Sequence, residues 1–289
     1  MRVEDREDSL EEARAGRALL SDLTDIAREA ASRIIMPRFG CLSATDIRTK
    51  SSPSDLVTIA DVLAERYITE RLALLLPGVL VIGEERCSTE PHLPGLAAQA
   101  PCAVTIDPID GTANFAAGLP LFGVMIAVLS HGKPVASVIL DPVAGTAALA
   151  ARGEGAWMED ATGGIHALRV AAPVDRLDAA AGKISWRSLP WCDQAQANRT
   201  MRSMTGLCDL RCAAHEYRLM AGGHAHVLAY GRTCLWDHCP GWLLIREAGG
   251  FGARLNGVPF HPGLPGTGLL YASDERAWQR FHKALSLPD

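Results

Sequence analysis

The sequence predicts an α/β layered fold. Short apolar runs with strand character alternate with longer segments in which apolar residues recur at spacings of three and four, and Gly and Pro punctuate the joints. No internal repeat or low-complexity tract breaks this alternation. With 289 residues, 48% hydrophobic and 21% charged, the chain can bury one large core or two modest ones.

The first helix is read over residues 9–39, from Leu19, Leu23, Ile26, Ala27, Ala30 and Ile34, and it ends near Pro37 and Gly40. A polar turn, Lys50 to Asp55, leads into a second helix from Thr58 to Leu76, stopped by Pro77-Gly78. Leu80-Val81-Ile82 is a short strand ending at Gly83-Glu84-Glu85, and residues 88–101 form a loop or short helix. Ala103 to Ile106 is a strand that runs into Asp107. Val124 to Leu129 and Pro134 to Leu140 follow, and Ala147 to Met158 and Gly164 to Val170 continue in strand style. A composition shift at Arg152 to Gly155 places a soft boundary between subdomains 1–152 and 153–289. The last clear helix is read over Pro240 to Ala248, with Asp237 as its N-cap and Gly249-Gly250 as its stop. Asn256-Gly257 marks a tight turn.

The formal charge of −5, without a Lys/Arg cluster on any helix, excludes the electrostatic footprint of a nucleic-acid binder. The N-terminal stretch is charged throughout, unlike an export signal. The most apolar run, Leu119 to Leu129, falls short of the ~20 residues that a bilayer-spanning helix needs. A cytoplasmic protein with no membrane partner is therefore expected. Eight cysteines at 41, 87, 102, 192, 208, 212, 234 and 239 contain no C-x-x-C pair, so reduced thiols are the expectation. Cys208, Cys212, Cys234 and Cys239 fit a four-thiolate zinc site only loosely.

Chemistry concentrates in Ile106-Asp107-Pro108-Ile109-Asp110-Gly111-Thr112-Ala113-Asn114-Phe115. Two carboxylates leave the end of an apolar strand, Pro108 stiffens the turn, and Gly111 allows close backbone approach. Thr112 can open a short helix whose free N–H groups suit a phosphate. Carboxylates at a strand end are hard oxygen donors that favour Mg²⁺ or Mn²⁺. An Asp-rich turn with Asp110 as a cap would look the same. Glu84, Glu85, Asp61 and Asp237 add acids from distant segments, as a multi-metal phosphatase requires, although Thr58 with Asp61 also fits a capping box and Glu85 fits a solvated side chain.

These segments resemble the inositol monophosphatase family. Lys50 through Asp61, Gly83-Glu84-Glu85, Ile106 through Phe115 and Trp236-Asp237 through Gly250 are similar to that family's signature segments, in its order, over about residues 15–275. The resemblance implies a five-layer αβαβα sandwich, a homodimer, and hydrolysis of a small phosphorylated metabolite with two or three Mg²⁺ ions. By the same resemblance Glu84, Asp107 and the Ile109 carbonyl would hold a first ion. Asp107, Asp110 and Asp237 would hold a second, and Glu84 would reach a third through water. Thr112 and Glu84 would position the attacking water, Asp61 would orient the Thr112 hydroxyl, and the N–H groups of Gly111 and Thr112 would hold the phosphate. Asp110, Ala213 and Asp237 would border the substrate.

The chain departs from the family around the substrate. Arg211-Cys212-Ala213 stands where the family carries Gly-Ser-Ala, and seven residues before Asp237, where an acid is typical, stands Tyr230. Arg211 suits a second phosphate or a carboxylate, or else a salt bridge with Glu216 or a neighbouring acid. Tyr217 reads as packed, and Lys50 as a solvated or rim charge. His224 and His226 fall in a segment read as strand and could hold a metal. Candidate substrates are inositol or sugar phosphates, histidinol phosphate and a nucleotide 3′-phosphate. The reading from another class is a catalytically silent binding or regulatory relative, which would have lost a metal carboxylate.

Overall fold

The computed structural model describes residues 3–50, 56–185, 194–207, 209–264, 266 and 268–285. In chain order, α1 (Val3–Ala30) ends in a π-helical turn at Ala31–Ile35 and a 3₁₀ turn at Met36–Arg38 that carries Pro37. A small hairpin of β1 (Ile47–Thr49) and β2 (Leu56–Thr58) leads into α2 (Ile59–Leu75). Next come β3 (Leu80–Gly83), α3 (Glu84–Thr89), α4 (Leu93–Leu96), β4 (Cys102–Asp110) and α5 (Thr112–Ala116). Five strands follow: β5 (Gly123–Ser130), β6 (Lys133–Asp141), β7 (Thr146–Ala151), β8 (Gly155–Glu159) and β9 (Ile165–Ala167). The remainder is β10 (Ala181–Ile184), α6 (Gln194–Ser203), β11 (Gly206–Leu207), α7 (Ala213–Ala221), β12 (Val227–Tyr230), α8 (Leu235–Glu247), β13 (Phe251–Arg254), β14 (Leu269–Ala272) and α9 (Glu275–Ala284).

Strands β3 to β9 form one seven-stranded sheet in sequential order, antiparallel except for the β3–β4 pair. Strands β11-β10-β12-β14-β13 form a second, five-stranded sheet. Helices α1 and α2 cover one face of the large sheet, α7 and α8 lie between the sheets, and α6 and α9 cover the far face of the small one. The stack is the expected αβαβα sandwich. Residues 152–154 are the turn between β7 and β8, inside the large sheet, and the chain leaves that sheet after Ala167.

Burial on both faces explains the apolar runs. In β5, Val124, Ile126 and Val128 point to the α1–α2 core, while Met125, Ala127 and Leu129 point to the α7–α8 core. Helix α2 buries Ala60, Ala64, Ile68 and Leu72 at every fourth residue. Among the described residues no helix is long and apolar enough to cross a membrane.

Helix α8 begins at Leu235, with Cys234 at its N-cap, and not near Pro240 as the sequence suggests. Asp237 thus sits in the first helical turn, where a carboxylate is favoured by the unpaired N–H groups. Pro240 is inside the helix and gives up one backbone bond, and Ser137 Oγ donates to the Pro240 carbonyl at 2.9 Å. Gly241 is required because a Cβ there would meet the Tyr217 ring at 2.2 Å. The strand expected across His224 and His226 starts only at Val227. His226 Nδ1 accepts from the Ala181 N–H at 3.2 Å, so its position is structural.

Candidate active site

Strand β4 carries Asp107 and Asp110 to its C-terminal end, where the pairing with β5 shifts register between them. That irregularity lets two carboxylates three residues apart converge. Asp107 Oδ1 accepts the Ile109 N–H at 3.0 Å and fixes the turn. Gly111 follows at φ 88°, and a Cβ there would lie 2.8 Å from the Leu121 carbonyl oxygen. Glycine is therefore demanded twice, by conformation and by space. Asn114 donates to the carbonyls of Leu121 at 2.8 Å and Leu210 at 2.7 Å, tying this motif to the loop before α7.

The acids from other segments arrive on helix N-termini. Asp237 comes in on α8, and oxygens of Asp107, Asp110 and Asp237 all lie within 4.8 Å of one another. Burial pushes all three carboxyls above their ordinary range, and repulsion from neighbouring carboxylates adds to it for Asp107 and Asp237. A divalent cation offsets that repulsion, and an all-oxygen set suits a hard one such as Mg²⁺. Glu84 opens α3 beside them, and burial together with the Glu84 and Asp110 charges is what raises Asp107.

The position of Glu84 has a buried cause that the sequence reading missed. Glu65 on α2 accepts the N–H groups of Glu85 at 2.7 Å and Arg86 at 2.8 Å, capping α3 from below. Gly83 makes room, since a Cβ there would lie 2.3 Å from the Glu65 carboxyl carbon. Lys50 is neither solvated nor merely at the rim: its Nζ bridges Glu84 Oε1 at 2.8 Å and Glu85 Oε1 at 2.6 Å. Glu85 is thus paired as well, although burial still pushes its carboxyl up to about 7.

Asp61 does both things its pattern allowed. Its Oδ2 accepts the Thr58 N–H at 2.8 Å and hydroxyl at 2.5 Å, completing a capping box for α2. Its Oδ1 lies 3.1 Å from the Thr112 hydroxyl. That hydroxyl is also 3.0 Å from the Ile109 carbonyl oxygen. Both neighbours only accept, so Thr112 spends its single hydrogen on them and keeps its lone pairs for an incoming donor.

Asp110 links this cluster to α7. Its Oδ2 accepts the Ala214 N–H at 2.6 Å and the Cys212 thiol at 2.9 Å. Burial, then the Asp110 charge, keeps the Cys212 thiol protonated. Cys239 is buried in the central core with its thiol likewise pushed up, and Cys208 lies outside the described residues. The described members of the four-cysteine zinc reading, Cys212, Cys234 and Cys239, do not come together as a metal-capable group, so that reading fails. Among the described residues Asp107, Asp110 and Asp237 are the metal-capable group, and His224 with His226 is not.

Two cavities meet at Asp110, Arg232, Cys234 and Asp237. One, of about 390 Å³, is lined by Lys50, Glu84, Asp107, Ile109, Gly111 and Thr112. The other, of about 340 Å³, is lined by Lys183, Ser185, Arg211, Ala213, Tyr230 and His238. The salt bridge between Arg211 and Glu216 does not form. Glu216 is fully buried and bonds both oxygens to Lys183 Nζ at 2.8 Å, and it accepts the Leu210 N–H at 3.0 Å and the Tyr230 hydroxyl at 2.9 Å. Lys183, Arg232 and His238 escaped the sequence reading, because nothing local marks them. Tyr217 is packed as expected, with its hydroxyl 2.6 Å from His238 Nδ1.

Comparison with known proteins agrees with this geometry. The Inositol monophosphatase family model matches residues 19–286. The chain is 33% identical to the inositol-1-monophosphatase SuhB of Mycobacterium tuberculosis, over 94% of this chain and 97% of that one. It is 28% identical to the Nus factor SuhB of Xylella fastidiosa, over 80% of each chain. The extragenic suppressor protein suhB of Bartonella henselae superposes with a TM-score of 0.76 at 25% identity, covering 93% of this chain and 98% of that one. Carboxylates converging from β4, α3 and α8, the layered stack that carries them and a match over nearly the whole length place the chain in the inositol monophosphatase family.

Proposed function

We propose that this protein is a Mg²⁺-dependent phosphomonoesterase acting on a small phosphorylated metabolite, through water activated at the Thr112–Asp61 pair. The observation that carries this reading is the convergence of Asp107, Asp110 and Asp237 within 4.8 Å, beside a threonine hydroxyl whose hydrogen is already committed. Asp107, Asp110, Asp237, Glu84 and the Ile109 carbonyl are the groups that would hold two or three ions. A bound divalent cation supplies charge neutralisation on the ester and acidifies water, which phosphate-ester hydrolysis needs near neutral pH.

The remaining work falls to the chain itself. Thr112 Oγ accepts a proton from the attacking water and Asp61 Oδ1 receives the Thr112 hydrogen, so charge passes to a buried carboxylate whose pKa burial raises to about 6. Glu84 shares the positioning of that water. Gly111 and Thr112 line the same cavity, and their N–H groups would hold phosphate oxygens. Lys50 adds a positive charge that offsets the carboxylates when the dianionic ester enters.

The test is phosphate release from a panel of monoesters, comprising inositol phosphates, fructose 1,6-bisphosphate, histidinol phosphate and 3′-phosphoadenosine 5′-phosphate. Each is assayed with Mg²⁺, with chelator, and with Asp107→Asn. Turnover that needs Mg²⁺ and disappears in the variant supports the reading. A second reading, a binding module without turnover, draws on the Xylella relative named as a Nus factor. Folded protein that binds Mg²⁺ yet hydrolyses no ester would put that reading first.

A further inference from the structure

We infer that the cavity between β12 and the start of α7 is an anion site, and that the substrate is a phosphomonoester carrying a second anionic group, a phosphate or a carboxylate. This rests on the phosphatase reading and names its substrate class. Lys183, Arg211 and Arg232 all line this cavity. Neither the Arg211 nor the Arg232 guanidinium makes an ion pair or hydrogen bond with a described residue. The acids that line it, Asp110 and Asp237, belong to the metal cluster, and Lys183 is offset by Glu216, so with cations bound the charge left on the wall is that of Arg211 and Arg232.

Backbone hydrogen bonds hold both arginine positions, while neither guanidinium has a partner among the described residues. Leu210 is held from both sides, its N–H by Glu216 at 3.0 Å and its carbonyl by Asn114 at 2.7 Å, and the Arg211 N–H donates to Asp209 Oδ1 at 3.2 Å. The Arg232 carbonyl is held by His238 Nε2 at 3.0 Å, and the Tyr217 hydroxyl holds the other ring nitrogen at 2.6 Å. A polyol hydroxyl both donates and accepts, whereas an anion only accepts, and the two guanidinium groups here only donate. The Tyr230 hydroxyl gives its hydrogen to Glu216.

Strain points the same way. Arg211 sits at φ 52°, and among the described residues only His131 shares a positive φ without being glycine. A left-handed residue with a Cβ costs roughly 1 kcal/mol relative to glycine, a cost that a guanidinium serving a ligand explains. The two arginines would grip a carboxylate or phosphate in charge-assisted bonds, with Arg232, which also borders the metal-side cavity, between the two ends of the substrate.

The test compares kcat/KM with Mg²⁺ for two matched pairs: 2-phosphoglycerate against glycerol 2-phosphate, and fructose 1,6-bisphosphate against fructose 1-phosphate. The expected result is a preference of about tenfold or more for the doubly anionic member of at least one pair, the size of one or two charged hydrogen bonds. R211G and R232Q should each cut that ratio several-fold. R211G relieves the strained backbone, so its loss of selectivity is not a loss of folding, and its melting temperature checks this. Preference within the first pair alone assigns a carboxylate, and within the second alone a phosphate. Ratios near one, or ratios that neither variant moves, overturn the anion site while the phosphatase reading stands. Equal slowing of all four esters by the variants overturns it too, because the arginines then serve the reacting phosphate. No hydrolysis of any ester overturns both.

Discussion

Asp61 holds the Thr112 hydroxyl at 3.1 Å through one carboxylate oxygen while the other oxygen caps helix α2. One side chain thus couples the entry of a helix to the hydroxyl proposed above as the proton acceptor.

Removing the hydroxyl and removing the carboxylate should therefore differ. Thr112→Ala is expected to lower kcat by ~10²-fold or more with little change in melting temperature. Asp61→Ala should lose the activity and also about 1 kcal/mol of stability, because the α2 cap goes with it. Paired melting and steady-state measurements on the two variants decide this. Equal melting temperatures would show that the cap contributes nothing.

The acid cluster gives a pH dependence with a definite sign. Asp61 is raised from 3.8 to about 6 by burial, and Asp107, Asp110 and Asp237 are raised as well. The folded state then binds more protons than the unfolded one. In chelator, the stability these groups contribute is full below about pH 4 and drains as pH rises through 6. Mg²⁺ competes with those protons, so the melting shift it causes should grow between pH 5 and 8. A shift that shrinks over that range would contradict the assignment.

Asp237→Asn removes one charge from a buried cluster of like charges. Without metal this variant should melt higher than the parent, and the Mg²⁺-induced shift and the activity should both be lost. Calorimetry with and without Mg²⁺ reads both effects.

Lys50 bridges Glu84 and Glu85, and although burial alone would lower its pKa, the two carboxylates raise it. Lys50→Met removes a cation beside the metal-capable acids. Half-saturating Mg²⁺ should fall several-fold while KM for any phosphomonoester rises. Mg²⁺ titration of turnover at two ester concentrations separates the effects. A rise in the Mg²⁺ requirement would refute the electrostatic role.

The Lys183–Glu216 pair is buried, and its loss should show as instability. Glu216→Gln leaves a buried lysine with only the exposed Asp209 carboxylate, at 3.5 Å, as its ion-pair partner and is expected to cost ~3 kcal/mol. Lys183→Met together with Glu216→Gln should recover much of that, because the buried charge is gone. A double-mutant cycle by chemical denaturation measures the coupling, and additive losses would mean the pair is not coupled.

Much of this protein is legible locally. The D-P-I-D-G-T motif, the Gly-Glu-Glu strand end and the capping box at Thr58 depend on neighbours a few residues apart, and the two-sided burial of β5 shows as an uninterrupted apolar run. Where local rules misled, packing was the reason. Pro240 reads as a helix start, yet α8 begins at Leu235 and carries the proline inside it, packed where Gly241 admits the Tyr217 ring. The sequence also allows a salt bridge between Arg211 and Glu216, yet Glu216 turns inward to Lys183, 33 residues away in sequence.

The sequence by itself determined the alternation of strands and helices and the carboxylate set, with the glycine and threonine beside it. These follow from side-chain periodicity, turn chemistry and residue type, which act over a few residues. Only the tertiary structure decided which charges meet: Lys50 with Glu84 and Glu85, Glu65 beneath α3, Lys183 with Glu216, and Arg211 and Arg232 over one cavity with no ion-pair partner among the described residues. Partners of that kind come from segments tens of residues apart, and the stacking of five layers, which no local pattern encodes, sets the distances between them.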